Sequence, residues 1–98
     1  MYDVRQTHQF SGWFAKLRDV TARTAILVRI RRLALGHPGD VKQVGDGVSE
    51  LRVNHGPGYR VYFTRKGSAV ILLLCGGDKG SQDRDILRAK QLAKKDTP

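Results

Sequence analysis

The sequence predicts an α+β fold: an N-terminal strand and a helical hairpin packed on an antiparallel sheet of four to five strands, then a C-terminal helix. Three observations predict it. Apolar residues recur at helical spacing from residue 10 to 33 and switch to alternation from residue 41 onward. Gly45-Asp46-Gly47 joins two of the alternating runs, and Asp-Gly is a strong signal for a two-residue hairpin. A capping serine at 81, with acids after it and lysines at 94 and 95, opens and closes a last helix.

Each element has its own warrant. "YDVRQ" alternates and reads as a short first strand. Phe10, Trp13, Phe14 and Leu17 fall at i, i+3, i+4 and i+7, one face of a helix. A second helix starts at Asp19 or Thr21, either of which can cap it, and Ala22, Ile26, Ile30 and Leu33 form its apolar stripe. Gly36 at C′ and Pro38 beyond end it, and its other face carries Arg23, Arg29, Arg31 and Arg32. "VKQV", "VSELRV" and "YRVYFTR" are strands of a meander, while "AVILLLC" is apolar at every position and reads as a central strand buried on both faces. Helices and strands in this order predict helices packed on one face of the sheet.

The chain's 98 residues suit one domain, residues 1–98, with one modest core. Eighteen Lys and Arg against nine Asp and Glu leave a formal charge of +9, so a polyanion, nucleic acid first, is the expected partner. The single Cys75 excludes an internal disulfide and sits in an apolar run, where an inert core thiol is expected. No signal-peptide pattern opens the chain and no apolar run is long enough to span a bilayer, so a cytoplasmic protein with no membrane partner is expected. Nothing in the residues asks for a metal or a cofactor.

The stretch "RVNHGPGYRVYF" raises a sharper point. With residues 54–58 as the loop, Val53 pairs with Tyr59, Arg52 with Arg60, and Glu50 with Tyr62. Leu51, Val53, Tyr59, Val61 and Phe63 then share the core face, while Glu50, Arg52, Arg60 and Tyr62 share the opposite one, expected to be open. Like charges directly opposed destabilise a sheet. Two readings account for the pair. Two guanidinium forks on one sheet face can hold a phosphate bidentately and stabilise charge that builds on it. Alternatively, Glu50 neutralises the pair and the three charges are merely solvated.

"CGGDKGSQD" then leaves the last strand through glycines, and strand-end loops on a rigid sheet often carry function. Lys79 lies there beside Asp78, where a third cation can join the two arginines. The Walker phosphate loop needs G-x-x-x-x-G-K-[ST], which is absent. Lys42 and Arg65 extend the basic surface or are simply solvated.

Taken together, "WFAKLRD", "ARTAILVRIRRL", "GDVKQVGDGVSELRVNHGPGYRVYFTRKG" and "ILLLCGGDKGSQDRDI" closely resemble the addiction-module killer proteins, HigB-like phage-derived toxins of the RelE/ParE superfamily. The resemblance runs from about residue 10 to 92. It implies a toxin of a type II toxin–antitoxin module that cuts mRNA in the ribosomal A site, using the RNA 2′-hydroxyl as nucleophile. It also implies a cognate antitoxin, a small helix-turn-helix protein of the HigA kind, as partner alongside the ribosome and mRNA. By the same resemblance Arg60 in "YRVYF", Arg52 in "ELR" and Lys79 in "CGGDK" match the family's phosphate-neutralising positions. One departure stands out: many relatives carry a Tyr or His just after the last strand, and "GGDKGSQDRDI" has neither. Tyr62, His55, Glu50 and Asp78 are the candidates left for proton transfer or substrate contact, with Lys42 as a further substrate contact; His8 and His37 read as helix-end residues. The alternatives are a ParE-like poison of DNA gyrase that cleaves nothing, and a nucleic-acid-binding module without catalysis.

Overall fold

A computed structural model of the protein describes residues 1–95. The elements run β1 (Asp3–Gln6), α1 (His8–Lys16), α2 (Val20–Ala34), β2 (Val41–Gly45), β3 (Val48–Val53), β4 (Tyr59–Lys66), β5 (Val70–Gly77), a 3₁₀ turn (Lys79–Ser81) and α3 (Gln82–Lys95). The five strands form one sheet in the order β1-β5-β4-β3-β2. β2 to β5 are an antiparallel meander, but β1 runs parallel to β5, so the sheet is mixed rather than antiparallel throughout. The α1–α2 hairpin carries the chain from β1 at one edge to β2 at the other, and the meander then brings β5 back beside β1.

Local signals fix the helix ends. Thr7 caps α1, its hydroxyl accepting from the Phe10 amide at 3.1 Å, and Asp19 caps α2 by accepting from Ala22 at 3.1 Å. At the far end of α2 the Gly36 amide donates to Leu33 O (3.0 Å) and the His37 amide to Arg32 O (2.8 Å), a Schellman motif with Gly36 in the left-handed region at φ 91°. Asp46 (φ 56°) and Gly47 (φ 76°) both have positive φ, as a type I′ hairpin turn demands.

The helices lie on both faces of the sheet, which corrects the expectation of a single covered face. Phe10, Ile26 and Leu33 from α1 and α2 pack with Leu51, Val53, Val61, Phe63, Ile71 and Leu73 on one side. On the other, Ala89, Ile86 and Leu92 of α3 pack with Val48, Tyr62, Leu72, Leu74 and Cys75. The physical reason is in β5, whose two faces are equally apolar: burying only one would leave Leu72 and Leu74 in water. Cys75 is buried there, and desolvation pushes its thiol up to about 12, consistent with an inert core residue.

A bulge sets the end of β5. Tyr62 pairs with Cys75 and Phe63 with Leu73, leaving Leu74 unpaired. The extra residue reverses the alternation, so that Gly76 faces α1 and Gly77 faces α3. A β-carbon on Gly76 would overlap the Trp13 ring, and one on Gly77 would overlap the Asp85 carboxylate and the Ser81 hydroxyl. These glycines therefore belong to the strand and admit a helix on each side; they are not part of the exit loop that the sequence suggested.

Candidate functional site

β3 and β4 bring the two arginines together as their register predicts: Arg52 is the direct partner of Arg60, Glu50 of Tyr62, and Val53 of Tyr59. Arg60 in turn pairs with Gly77 on β5. The bare Gly77 leaves room for the first turn of α3 to descend onto this corner of the sheet. Glu50 and Tyr62 are consequently not on an open face; both are completely buried beneath α3.

Glu50 is the hub of the corner. Its Oε1 accepts from Arg52 Nε at 2.8 Å and lies 3.7 Å from Arg60 Nε. Its Oε2 accepts from the Tyr62 hydroxyl at 3.0 Å and from Gln82 Nε2, the first residue of α3, at 2.9 Å. Burial alone would raise the Glu50 pKa. The hydrogen bonds from Arg52, Gln82 and Tyr62, with the Arg52 charge, outweigh it and hold the carboxyl below its ordinary value. Tyr62 moves the opposite way: burial, then the Glu50 charge and the hydrogen bond to Glu50, keep its phenol protonated far above the usual range.

The face-to-face arginines are thus not left to repel each other. One carboxylate sits between them, and both use the inner nitrogen of the guanidinium toward it. Arg60 Nη1 also donates to Gly58 O at 2.8 Å. The Arg52 side chain is 32% exposed and that of Arg60 12%. Among the described residues, the two terminal nitrogens of Arg52 and Arg60 Nη2 donate to no protein acceptor. Counting Arg52, Arg60 and Glu50, the corner keeps one net positive charge with guanidinium edges facing outward.

Lys79 joins this corner from the 3₁₀ turn. A β-carbon built on Gly58 would lie 3.2 Å from Arg60 Nη1 and 3.6 Å from Lys79 Cβ, so the two cationic side chains flank the same glycine. The turn is held by Asp78, whose Oδ1 accepts from the amides of Gly80 (2.8 Å) and Ser81 (3.2 Å). Asp78 is therefore occupied as a cap. Ser81, which the sequence marked as the cap of the last helix, closes this turn instead and donates to the Asp85 carboxylate one turn into α3.

Three sequence candidates lie elsewhere. His55 turns to the other side of the sheet, where its Nε2 is 3.4 Å from Asp19 Oδ2 at the start of α2. Arg65 lies against the Tyr2 ring, 5.5 Å from its centroid, on the α1–α2 side. Lys42 is exposed on β2 in register with Glu50, one strand away from the arginines. The arginine-rich face of α2 is partly structural as well. Arg29 donates to the carbonyls of Arg52 (2.5 Å) and Pro38 (3.0 Å), and Arg23 covers the Phe14 ring at 4.9 Å.

Sequence reasoning missed Gln82 and the roles of Gly76 and Gly77. The signal for the glycines was available: a Gly pair directly continuing an all-apolar strand marks close approach of other chain segments.

The sequence profile of the family described as phage derived protein Gp49-like (DUF891) matches residues 12–96. An uncharacterized protein from Haemophilus influenzae (strain Rd) is 47% identical over 90 residues, which cover 92% of this chain and 91% of that protein.

Proposed function

The chain belongs to the Gp49-like family of phage-derived proteins, a RelE/HigB-like toxin family associated with toxin–antitoxin modules, and from that premise we propose that it is a ribosome-dependent mRNA endonuclease. The observation that carries this reading is the corner built from Arg52, Arg60 and Lys79. Arg52 is anchored through its inner nitrogen to Glu50 and Arg60 through Nη1 to Gly58 O, leaving both terminal nitrogens of Arg52 and Nη2 of Arg60 to grip a phosphate, with Lys79 as a third point charge.

The reaction this corner suits is attack of the RNA 2′-hydroxyl on the adjacent phosphorus. The bond to the 5′-oxygen breaks, leaving a 2′,3′-cyclic phosphate and a 5′-hydroxyl. Negative charge accumulates on the non-bridging oxygens along the way, and the three cations stabilise it. None of the four candidate bases is placed for proton transfer. Glu50 and Tyr62 are buried, Asp78 caps a turn, and His55 faces α2. Without a side-chain base worth ~10²–10⁴-fold, the in-line orientation of the 2′-hydroxyl has to come from whatever holds the mRNA. That requirement favours the ribosome, which presents mRNA in a fixed conformation, over free RNA. The same corner offers an antitoxin an anion-binding surface, and an acidic segment laid across Arg52 and Arg60 would silence it.

The test is expression of wild type, Arg60→Ala and Lys79→Ala from a tightly controlled promoter, with 5′ ends of cellular mRNA mapped. New 5′-hydroxyl ends within translated regions, absent in both variants, are expected. Growth arrest with intact mRNA would refute nuclease action and turn the search to gyrase and other protein targets.

A further inference from the structure

Among the described residues, Gln82 is the one member of the Glu50 network that does not come from the sheet. The other donors, Arg52 on β3 and Tyr62 on β4, are held by strand pairing. Gln82 opens α3 and reaches Glu50 Oε2 at 2.9 Å, beside the Tyr62 hydroxyl at 3.0 Å. The division between the two carboxylate oxygens is informative. Oε2 takes both neutral donors, which leaves Oε1 for Arg52 Nε at 2.8 Å and Arg60 Nε at 3.7 Å. Arg52 on Oε1 and Tyr62 on Oε2 hold the carboxylate at one donor each, and its terminal torsion is broad. Gln82 adds a second donor on Oε2, which narrows that torsion and aims Oε1 between the guanidinium groups.

Arg60 needs that aim. Its Nε is buried and has no hydrogen-bond partner within range among the described residues, so the nearby Oε1 charge is what offsets its desolvation. Resting on the phosphate-gripping function proposed above, we infer that Gln82 is a positioning residue: by fixing the Glu50 carboxylate it sets the Arg52 and Arg60 forks at the spacing a phosphate requires.

The test uses binding of a fully 2′-O-methylated oligouridylate of about twelve nucleotides, which cannot be cleaved, at several salt concentrations. For single strands the salt slope grows by ~0.7 for each phosphate that the protein neutralises. Gln82→Met keeps the side-chain length and removes the donor without changing charge. Affinity on the order of tenfold weaker is expected, as for a lost hydrogen bond to a charged group. The salt slope should also shrink, by ~0.7 for each phosphate no longer neutralised. A neutral residue that only packs α3 cannot change that slope. Ile86→Ala, which loosens α3 while keeping Gln82, supplies the comparison: it should lose stability and retain the wild-type slope. Wild-type affinity and slope in Gln82→Met would overturn the inference, and so would a slope reduced equally in Ile86→Ala.

The underlying phosphate reading has its own control. If Arg60→Ala leaves binding and slope untouched, that reading fails, whatever Gln82 does. The positioning role is then read without RNA from the Arg52 Nε–H resonance in 15N NMR. Broadening or faster solvent exchange in Gln82→Met supports it, and an unchanged signal removes it.

Discussion

Replacing Glu50 by alanine is the most informative perturbation of this fold. The carboxylate is completely buried, accepts three hydrogen bonds and offsets two guanidinium groups. Its removal orphans donors on Arg52, Tyr62 and Gln82 and leaves Arg60 Nε with no counter-charge. Breaking a buried charge pair from one side typically costs ~3–5 kcal/mol. Arg52 is one-third exposed, so water can take over part of its solvation and screen its repulsion with Arg60. The low end, about 3 kcal/mol, is therefore expected. In a domain of this size that lowers Tm by roughly 12–24 °C. Urea unfolding followed by far-UV circular dichroism measures it directly. The variant carries a second signature: with Oε1 gone, both arginines are free to take an external anion. Millimolar sulfate should raise the Tm of Glu50→Ala more than that of wild type, through linkage. A loss below about 1 kcal/mol, with equal sulfate responses, would refute the role of Glu50 as the counter-charge of the pair.

Acidification tests the same residue from another side. Glu50 has a folded pKa below its ordinary value of 4.5, so its stabilising contribution is complete above about pH 4.5 and drains away as pH falls through the lowered value; urea melts between pH 3 and 7 should show that loss, reduced in Glu50→Gln. Glycine substitutions should divide sharply by position. Gly76→Ala and Gly77→Ala collide with Trp13 and with Asp85 and should each cost more than ~2 kcal/mol. Gly12→Ala has nothing within 4 Å of the added carbon and sits inside α1, so it should gain ~0.5–1 kcal/mol. Arg52→Lys should stay folded yet lose most of the proposed mRNA cleavage, because an ammonium lacks the planar fork that meets a phosphate bidentately; undiminished cleavage would show that charge alone suffices.

What the sequence made legible was what local chemistry decides. The Asp19 cap, the Gly36 terminus and the Asp46-Gly47 turn each use side-chain or backbone preferences that act within four residues. The Arg52–Arg60 register followed from the length of one loop and the period of two strands. The placement of α3 was not legible in the same way. Its amphipathic pattern shows that it has an apolar face but not which side of the sheet receives it. Tyr62 and Glu50, read as polar, seemed to mark an open surface, yet β5 reads as buried on both faces, and only α3 remained to cover the second. The Leu74 bulge was silent for a related reason: in an all-apolar strand there is no alternation for an inserted residue to break.

The corner also shows what opposed arginines offer here that opposed lysines would not. A lysine presents its three donors from a single nitrogen, so a carboxylate and a ligand would have to meet at the same atom. A guanidinium has an inner nitrogen and an outer pair. Glu50 engages Arg52 at the inner position and leaves the outer pair available, so the counter-charge that stabilises the fold does not consume the donors that meet a ligand. Gln82 and Tyr62 hold Glu50 in that division by bonding its other oxygen. With the carboxylate so held, the arginines would be preorganised for the proposed phosphate, and little of its binding free energy would have to be spent on arranging them.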